Sequence, residues 1–309
     1  VDRPVFLDDA ALKEVFDLAA LIDWMDTAHR EPRPETVDAL LGPPSSQYFV
    51  RSAASATAFG SKLVTIVPAN PSQGRPSVQA LFAVFDRETG VCRGVLDATS
   101  LTYWKTAADS ALGSRHLSRP DSSTLLICGA GGLAPWLVRA HAVARPPLRR
   151  VLIWNRTGGK AKALAAMLQA EGLAAEPIDD LQAGIAEADI VSTATLTREP
   201  IIHGAWLRPG QHLDLVGAYL PDTREADDGC IRRSDVYVDY RVSARDVGDI
   251  HVPLQTGVLR ESSILGDLYD LAHHNRQRSP EAITLYKNAG GAHLDLMTAE
   301  YLLQAANAR

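Results

Sequence analysis

Residues 124–144, TLLICGAGGLAPWLVRAHAVA, decide the fold. A short apolar run, TLLIC, leads into Gly129-Ala130-Gly131-Gly132-Leu133-Ala134, and the helical pattern WLVRAHAVA follows. A G-x-G-x-x-A match alone is weak, but between a strand and a helix it marks a dinucleotide-binding turn. Gly129 permits the tight turn, Gly131 lets the backbone approach a pyrophosphate, and Ala134 lets the helix pack closely on the strand. Gly132 and Leu133 lead into a helix N-terminus, whose free N–H groups and partial positive charge suit phosphates. Pro135 is tolerated there because that N–H is not needed. The plainer alternative is a Gly-rich turn without a ligand.

Working outward, RRVLIWNRT, ADIVSTATL, QHLDLVGAY, SDVYVDYR and ITLYKNAG read as strands, with helical segments between several of them. This alternation predicts a parallel sheet with right-handed crossovers. LLIC, VLIW and DIVST are continuously apolar, as strands buried on both faces should be. The second strand ends in Asn155-Arg156-Thr157, where an NAD site usually carries an acid. Without a carboxylate to repel a phosphate, Arg156 can stack on adenine and pair with a 2′-phosphate, while Asn155 and Thr157 donate hydrogen bonds. NADP(H) is therefore expected in preference to NAD(H); a solvated turn arginine is the alternative. Thr193-Ala194-Thr195 and Val216-Gly217-Ala218 end the third and fourth strands, where carboxyl ends face a cofactor crevice. Each is equally readable as an ordinary strand end.

Upstream, the opening reads as one helix, capped by Asp8 or Asp9 and running through Leu12, Val15, Phe16, Leu18 and Ala19. A turn at Pro32 and Pro34 follows, then strands from Tyr48 onward: YFVRSA, SKLVTIVPA, SVQALFAVFD and VCRGVLDA. TSLTYWKTAADSALGSRHL is a helix rich in small residues, and Pro120-Asp121 marks a boundary. The expected fold class is α/β. A doubly wound Rossmann domain over 120–294 joins a discontinuous α+β domain over 1–119, completed by a C-terminal helix over 295–309. Of 309 residues, 46% are apolar and 22% charged, as in ordinary globular proteins. A net charge of −6 argues against a nucleic-acid partner. No apolar run is long enough to suggest a membrane span. The acidic opening residues lack an apolar signal core, so a cytoplasmic protein is expected. Cys92, Cys128 and Cys230 form a sparse, odd set without a C-x-x-C pair, which argues against a disulfide framework or a metal site.

Lys62 shares its strand face with Val64 and Ile66. A lysine there holds a substrate carboxylate, passes protons, or snorkels at a sheet edge. Thr106 is placed to bond a cofactor or substrate.

These segments together resemble the ornithine cyclodeaminase and mu-crystallin family, which also includes archaeal-type alanine dehydrogenases and bacterial ketimine reductases. The resemblance runs from about residue 30 to the C-terminus. It rests on GSKLVTIVPANP, LDATSLTYWKTAADSALGSRHLSRPD, ICGAGGLA, VLIWNRT, TREPIIHGAWLRPGQHLDLVGAYLPDTREADD and ITLYKNAGGAHLDL. NRT and PDTRE look most like the mu-crystallin and ketimine-reductase branch, whose members use NADPH. The resemblance implies a homodimer, built through the discontinuous N-terminal domain, which also covers the nicotinamide. It places Lys62 in an active site. It sets Lys105 where members usually have an arginine gripping the substrate carboxylate, so that the charge is kept and the planar fork lost; otherwise Lys105 is a surface lysine. Arg33 falls near another carboxylate-binding arginine, with a structural role equally open. Three departures stand out: Tyr219 replaces the aspartate that cyclodeaminases carry, Val78 replaces a histidine, and Gly132-Leu133 replaces V-Q. Tyr219 thus borders the substrate and weighs against cyclodeamination.

The expected activity is reduction of a small imino acid, a ketimine, to an amino acid by hydride transfer from NADPH, with Lys62 and Lys105 in the catalytic roles. The alternatives are cyclodeamination of ornithine to proline and ammonia, and an NADPH-dependent ligand-binding protein without catalysis.

Overall fold

The computed structural model describes residues 4–274 and 279–308. Their contacts divide the chain into two compact units, Val1–Lys105 with Gly291–Arg309 and Thr106–Gly290. The division falls inside the helix Thr99–Leu117, not at Pro120. The second half of that helix is stitched to later strands: Tyr286 donates to Asp109 (2.7 Å), Ser110 to Asp214 (3.0 Å), and Thr284 to the Leu117 carbonyl (3.2 Å). Pro120 punctuates the chain without dividing its packing.

The N-terminal unit is a six-stranded sheet of β1 (Val5–Leu7), β2 (Glu35–Leu41), β3 (Gln47–Ala54), β4 (Ala58–Ile66), β5 (Val78–Asp86) and β6 (Cys92–Asp97). Its order is β1-β6-β5-β4-β3-β2, antiparallel except for β1 beside β6. Asp8 caps the first helix, but that helix stops at Val15. Phe16 is extended, and Asp17 caps a second helix, Leu18–Ala28, so the single opening helix is in fact two. β1 and β2 also escaped the sequence pattern: β2 is exposed along almost its whole length, which leaves no burial rhythm to read.

β4 alternates strictly, with Ala58, Gly60, Lys62 and Val64 buried. Over that face lies the C-terminal helix, Ala292–Asn307, buried around most of its circumference. The sheet makes room for it with glycine. A Cβ on Gly60 would lie 2.7 Å from both Leu296 and the Phe82 ring, and one on Gly94 would lie 2.6 Å from Leu303. The opposite face is apolar and uncovered: Val37 is 63% exposed, Leu81 42% and Phe59 42%.

The second unit is an eight-stranded, fully parallel sheet. Its strands are β7 (Thr124–Cys128), β8 (Arg150–Trp154), β9 (Ala175–Pro177), β10 (Ile190–Thr193), β11 (His212–Leu215), β12 (Ser234–Val238), β13 (Ile264–Gly266) and β14 (Ile283–Lys287). The order is β13-β12-β14-β11-β10-β7-β8-β9. The chain runs outward from β7 through β8 and β9, then returns to lay β10 on the other flank of β7. That reversal opens a crevice at the carboxyl ends of β7 and β10. The doubly wound Rossmann sheet expected from the alternation is present, extended by β9 and β13, two strands too short to show periodicity.

Replacing Gly60 by Val should cost about 1–3 kcal/mol, because the new side chain drives into Leu296 and Phe82. Denaturant melts of both proteins measure this, and an unchanged midpoint would refute the packing argument.

Candidate functional site

The Rossmann unit carries a cleft of about 340 Å³ at the switch point. Its lining includes Gly129, Gly131, Asn155, Arg156, Ala194 and Thr195 from the expected set, with Ala130, Lys160, Leu196 and Thr197 added. Gly129 has φ of 110°, open to glycine, and an added Cβ would lie 2.6 Å from the Ala194 carbonyl oxygen. At Gly131 a Cβ would meet nothing within 4 Å. The side chain is thus absent over open space, where a ligand's phosphates need close approach. The helix Ala134–Ala144 starts beside this space, with Leu133 at its N-cap and Pro135 in its first turn. Asn155 fixes the turn, accepting from the Ala130 N–H (3.2 Å) and donating to the Thr157 carbonyl (2.9 Å). The turn and helix end therefore fit a dinucleotide.

Other expected residues sit beside the cleft without lining it. Thr193 is fully buried, its hydroxyl turned to the Asp214 carbonyl (3.4 Å). Val216 and Ala218 are buried, Ala134 packs against the sheet, and Gly132 and Thr157 are exposed. The Thr106 carbonyl accepts from Asn288 (2.9 Å), which ties that residue into the unit. Tyr219 is 59% exposed just past β11.

Glu225 was not foreseen. Its buried carboxylate accepts from the Thr195 N–H and hydroxyl, both 2.7 Å, and from the Gly217 N–H at 2.6 Å. It thereby fastens together the ends of β10 and β11. Burial and the nearby Asp249 raise its pKa, while Lys287, paired with Asp249 at 3.1 Å, and Thr195 work against that rise. In the sequence Glu225 belongs to TREADD, which looks like a solvated acidic loop.

The N-terminal unit gathers cations. Lys62 lies on β4, flanked by β3 and β5, so it is not at a sheet edge. Its ammonium donates to the Thr102 hydroxyl (2.7 Å) and to Asp295 Oδ1 (3.3 Å). Lys105 is only 4% exposed, so it is no surface lysine, and its Nζ lies 4.0 Å from the same Asp295 oxygen. Arg51 pairs across the sheet with Lys62 and forms a forked pair with Asp38, at 2.7–3.0 Å. Arg33 is exposed, and its charge reaches His293.

Asp295 is fully buried at this cluster. Burial opposes its charge, but Lys62, Lys105 and Arg51 outweigh burial and hold the carboxyl below its ordinary value. His293 is pressed well below the usual histidine value, first by burial, then by His29 edge-on at 6.0 Å, and then by Lys105, Arg51 and Arg33. It is neutral at pH 7. Asp295 could have been found by the argument that marked Lys62, since it is a lone acid within the apolar run LDLM. Thr102 and Arg51 carried no such signal.

Residues 47–309 match the model of the ornithine cyclodeaminase/mu-crystallin family. The chain is 41% identical to the Delta(1)-pyrroline-2-carboxylate reductase of Paracoccus denitrificans, over 93% of this chain and 94% of that one. It is 32% identical to the mouse ketimine reductase mu-crystallin, over 80% of this chain and 76% of that one. Among solved structures it superposes on the Thermococcus litoralis Delta(1)-pyrroline-2-carboxylate reductase in complex with NADH and L-proline. There the TM-score is 0.89 and the identity 25%, with 98% of each chain covered.

The folded protein resists protonating His293, whereas the unfolded chain takes up that proton near the ordinary value of 6.5. Stability should therefore fall as pH drops below about 6.5, by up to about 1.4 kcal/mol per pH unit from this residue. Melts of the protein and of His293→Leu across about pH 7.5 to 5.5 should diverge, with the variant losing less. Parallel curves would exclude the assignment.

Proposed function

This chain belongs to the ornithine cyclodeaminase/mu-crystallin family, and from that premise we propose that it reduces a small cyclic imino acid to the corresponding amino acid with NAD(P)H. The observation that carries the reading is the convergence of two buried lysines, Lys62 and Lys105, on Asp295. Two buried cations facing one oxygen suit one carboxylate of a small substrate. Lys62 and Lys105 hold that carboxylate, and Lys62 keeps a proton on the imine nitrogen. Arg33 and Arg51 add positive field around them. In the Rossmann unit, Gly129, Gly131 and the helix N-terminus would hold the pyrophosphate, and a bound nicotinamide would supply the hydride. Tyr219 stands where cyclodeaminases carry an aspartate, so ring closure with loss of ammonia is not part of the proposal.

The preference for NADPH over NADH belongs to the proposal as well. Arg156 and Lys160 line the cleft where the second strand ends, and Asn155 rather than an acid stands beside them. So does a homodimer, whose support is the uncovered apolar sheet face that carries Val37, Phe59 and Leu81. The expected setting is the cytoplasm. Among the described residues no helix is long and apolar enough to cross a membrane.

The direct test is loss of NADPH absorbance with pyrroline-2-carboxylate and piperideine-2-carboxylate; no turnover with either, or with other small imino acids, would end the reductase reading. Arg156→Ala should weaken NADPH about tenfold, or ~1.4 kcal/mol, and leave NADH nearly unchanged. Equal losses for both cofactors would remove the 2′-phosphate role. Light scattering should give a dimer, and Leu81→Glu should shift it toward monomer; a monomeric parent protein would disprove the interface.

A further inference from the structure

The geometry points to Asp295 as the positioning residue that keeps Lys62 and Lys105 together as one charged seat for the substrate carboxylate. This rests on the reductase reading for the substrate's identity, but not for the existence of a carboxylate seat.

The three residues come from separate parts of the unit. Lys62 is on β4, Lys105 on the helix Thr99–Leu117, and Asp295 on the C-terminal helix. Two ammonium groups gathered at one carboxylate oxygen repel each other. A single carboxylate oxygen, Asp295 Oδ1, faces both, at 3.3 and 4.0 Å. Its other oxygen, Oδ2, is buried with no hydrogen-bond partner among the described residues. The carboxylate is thus committed to charge compensation rather than to holding a helix or strand in place.

Thr102 adds direction. Its hydroxyl donates to the Ala98 carbonyl (3.2 Å), which leaves its lone pairs to accept from Lys62. Of the three N–H bonds on Lys62, Thr102 and Asp295 take two, and the third remains for the substrate. Arg51, a further cation whose charge reaches Asp295, is forked onto Asp38.

Removing the Asp295 charge takes away the one carboxylate oxygen that both ammonium groups face. One of them then sheds its proton more readily, and carboxylate binding becomes dependent on pH. The groups facing Asp295 and its neighbour on the same helix are Arg51 on β3, Lys62 on β4, Lys105, His29, His293 and the nearby Arg33. His293, held well below the usual histidine value, is neutral throughout the alkaline range.

The probe is pyrrole-2-carboxylate, a planar ring acid with no reducible imine, titrated calorimetrically into the NADPH complex from about pH 6 to 9. The parent protein should bind it with little change over that range. Asp295→Asn, of equal size, should lose affinity by about tenfold or more as pH rises across it, with NADPH affinity unchanged. Asp295→Glu should restore part of the loss. A pH-independent affinity equal to the parent's would overturn the inference, as would a matching loss of NADPH affinity.

Should Asp295→Asn fail to fold, the double variant Asp295→Asn/Lys105→Met restores charge balance. It should bind the probe no worse than Lys105→Met alone, and a further loss of about tenfold would show that Asp295 acts independently of the lysines and overturn the inference. If the parent protein binds the probe but reduces no imino acid, the reductase reading fails and the seat stands. If the parent binds no carboxylate, the seat itself is disproved.

Discussion

At the switch point of the parallel sheet, backbone crowding governs what the chain can be. The ends of β7, β10 and β11 approach so closely that side chains are excluded. A Cβ on Gly129 would strike Ala194, and one on Gly217 would lie 2.0 Å from the Thr195 carbonyl oxygen. Strand ends that close leave half-buried amides short of strand partners, and unmet amides are costly. Glu225 meets two of them with one carboxylate. Asp249 accepts in turn from the Glu225 N–H (2.8 Å) and from Lys287 on β14. The rim of the cleft at these strand ends is therefore set by a charged network behind it, which lets Gly129, Ala194 and Gly217 stay small.

The N-terminal unit solves a different problem with the same means. Its sheet must bury a helix on one face while presenting cations at that face, two demands that oppose each other in an apolar interior. Gly60 and Gly94 solve the steric half by admitting Leu296 and Leu303. Asp295, carried in by the same helix, solves the electrostatic half. Packing and charge compensation thus arrive on one element.

Much of this was legible in the sequence, and the reasons are specific. The G-x-G-x-x-A turn announced itself because the tight turn, the ligand approach and the helix packing each restrict residue type at a fixed spacing. Lys62 stood out because a charge broke an apolar alternation. Lys105 did not, because a lysine on a helix of mixed polarity is ordinary until its burial is known, and only the family resemblance raised it. Glu225 sat in an acidic stretch that looks solvated, and its burial depends on β10 and β11 meeting, a long-range event that no local pattern encodes. β2 was invisible for the opposite reason, since a strand exposed on both faces has no inside to mark. The unit boundary was misplaced because proline marks a turn in the chain, whereas the boundary follows which half of a continuous helix binds which sheet.

Residues 283–307 complete both units. β14, at residues 283–287, slots into the middle of the parallel sheet between β11 and β12. The helix at residues 292–307 then covers the antiparallel one. During synthesis neither sheet can finish until these residues leave the ribosome, and the earlier strands must wait with apolar faces bare. Contacts of such long sequence separation slow folding, so this architecture calls for protection of the nascent chain and makes loss of residues 283–307 damaging to both halves at once.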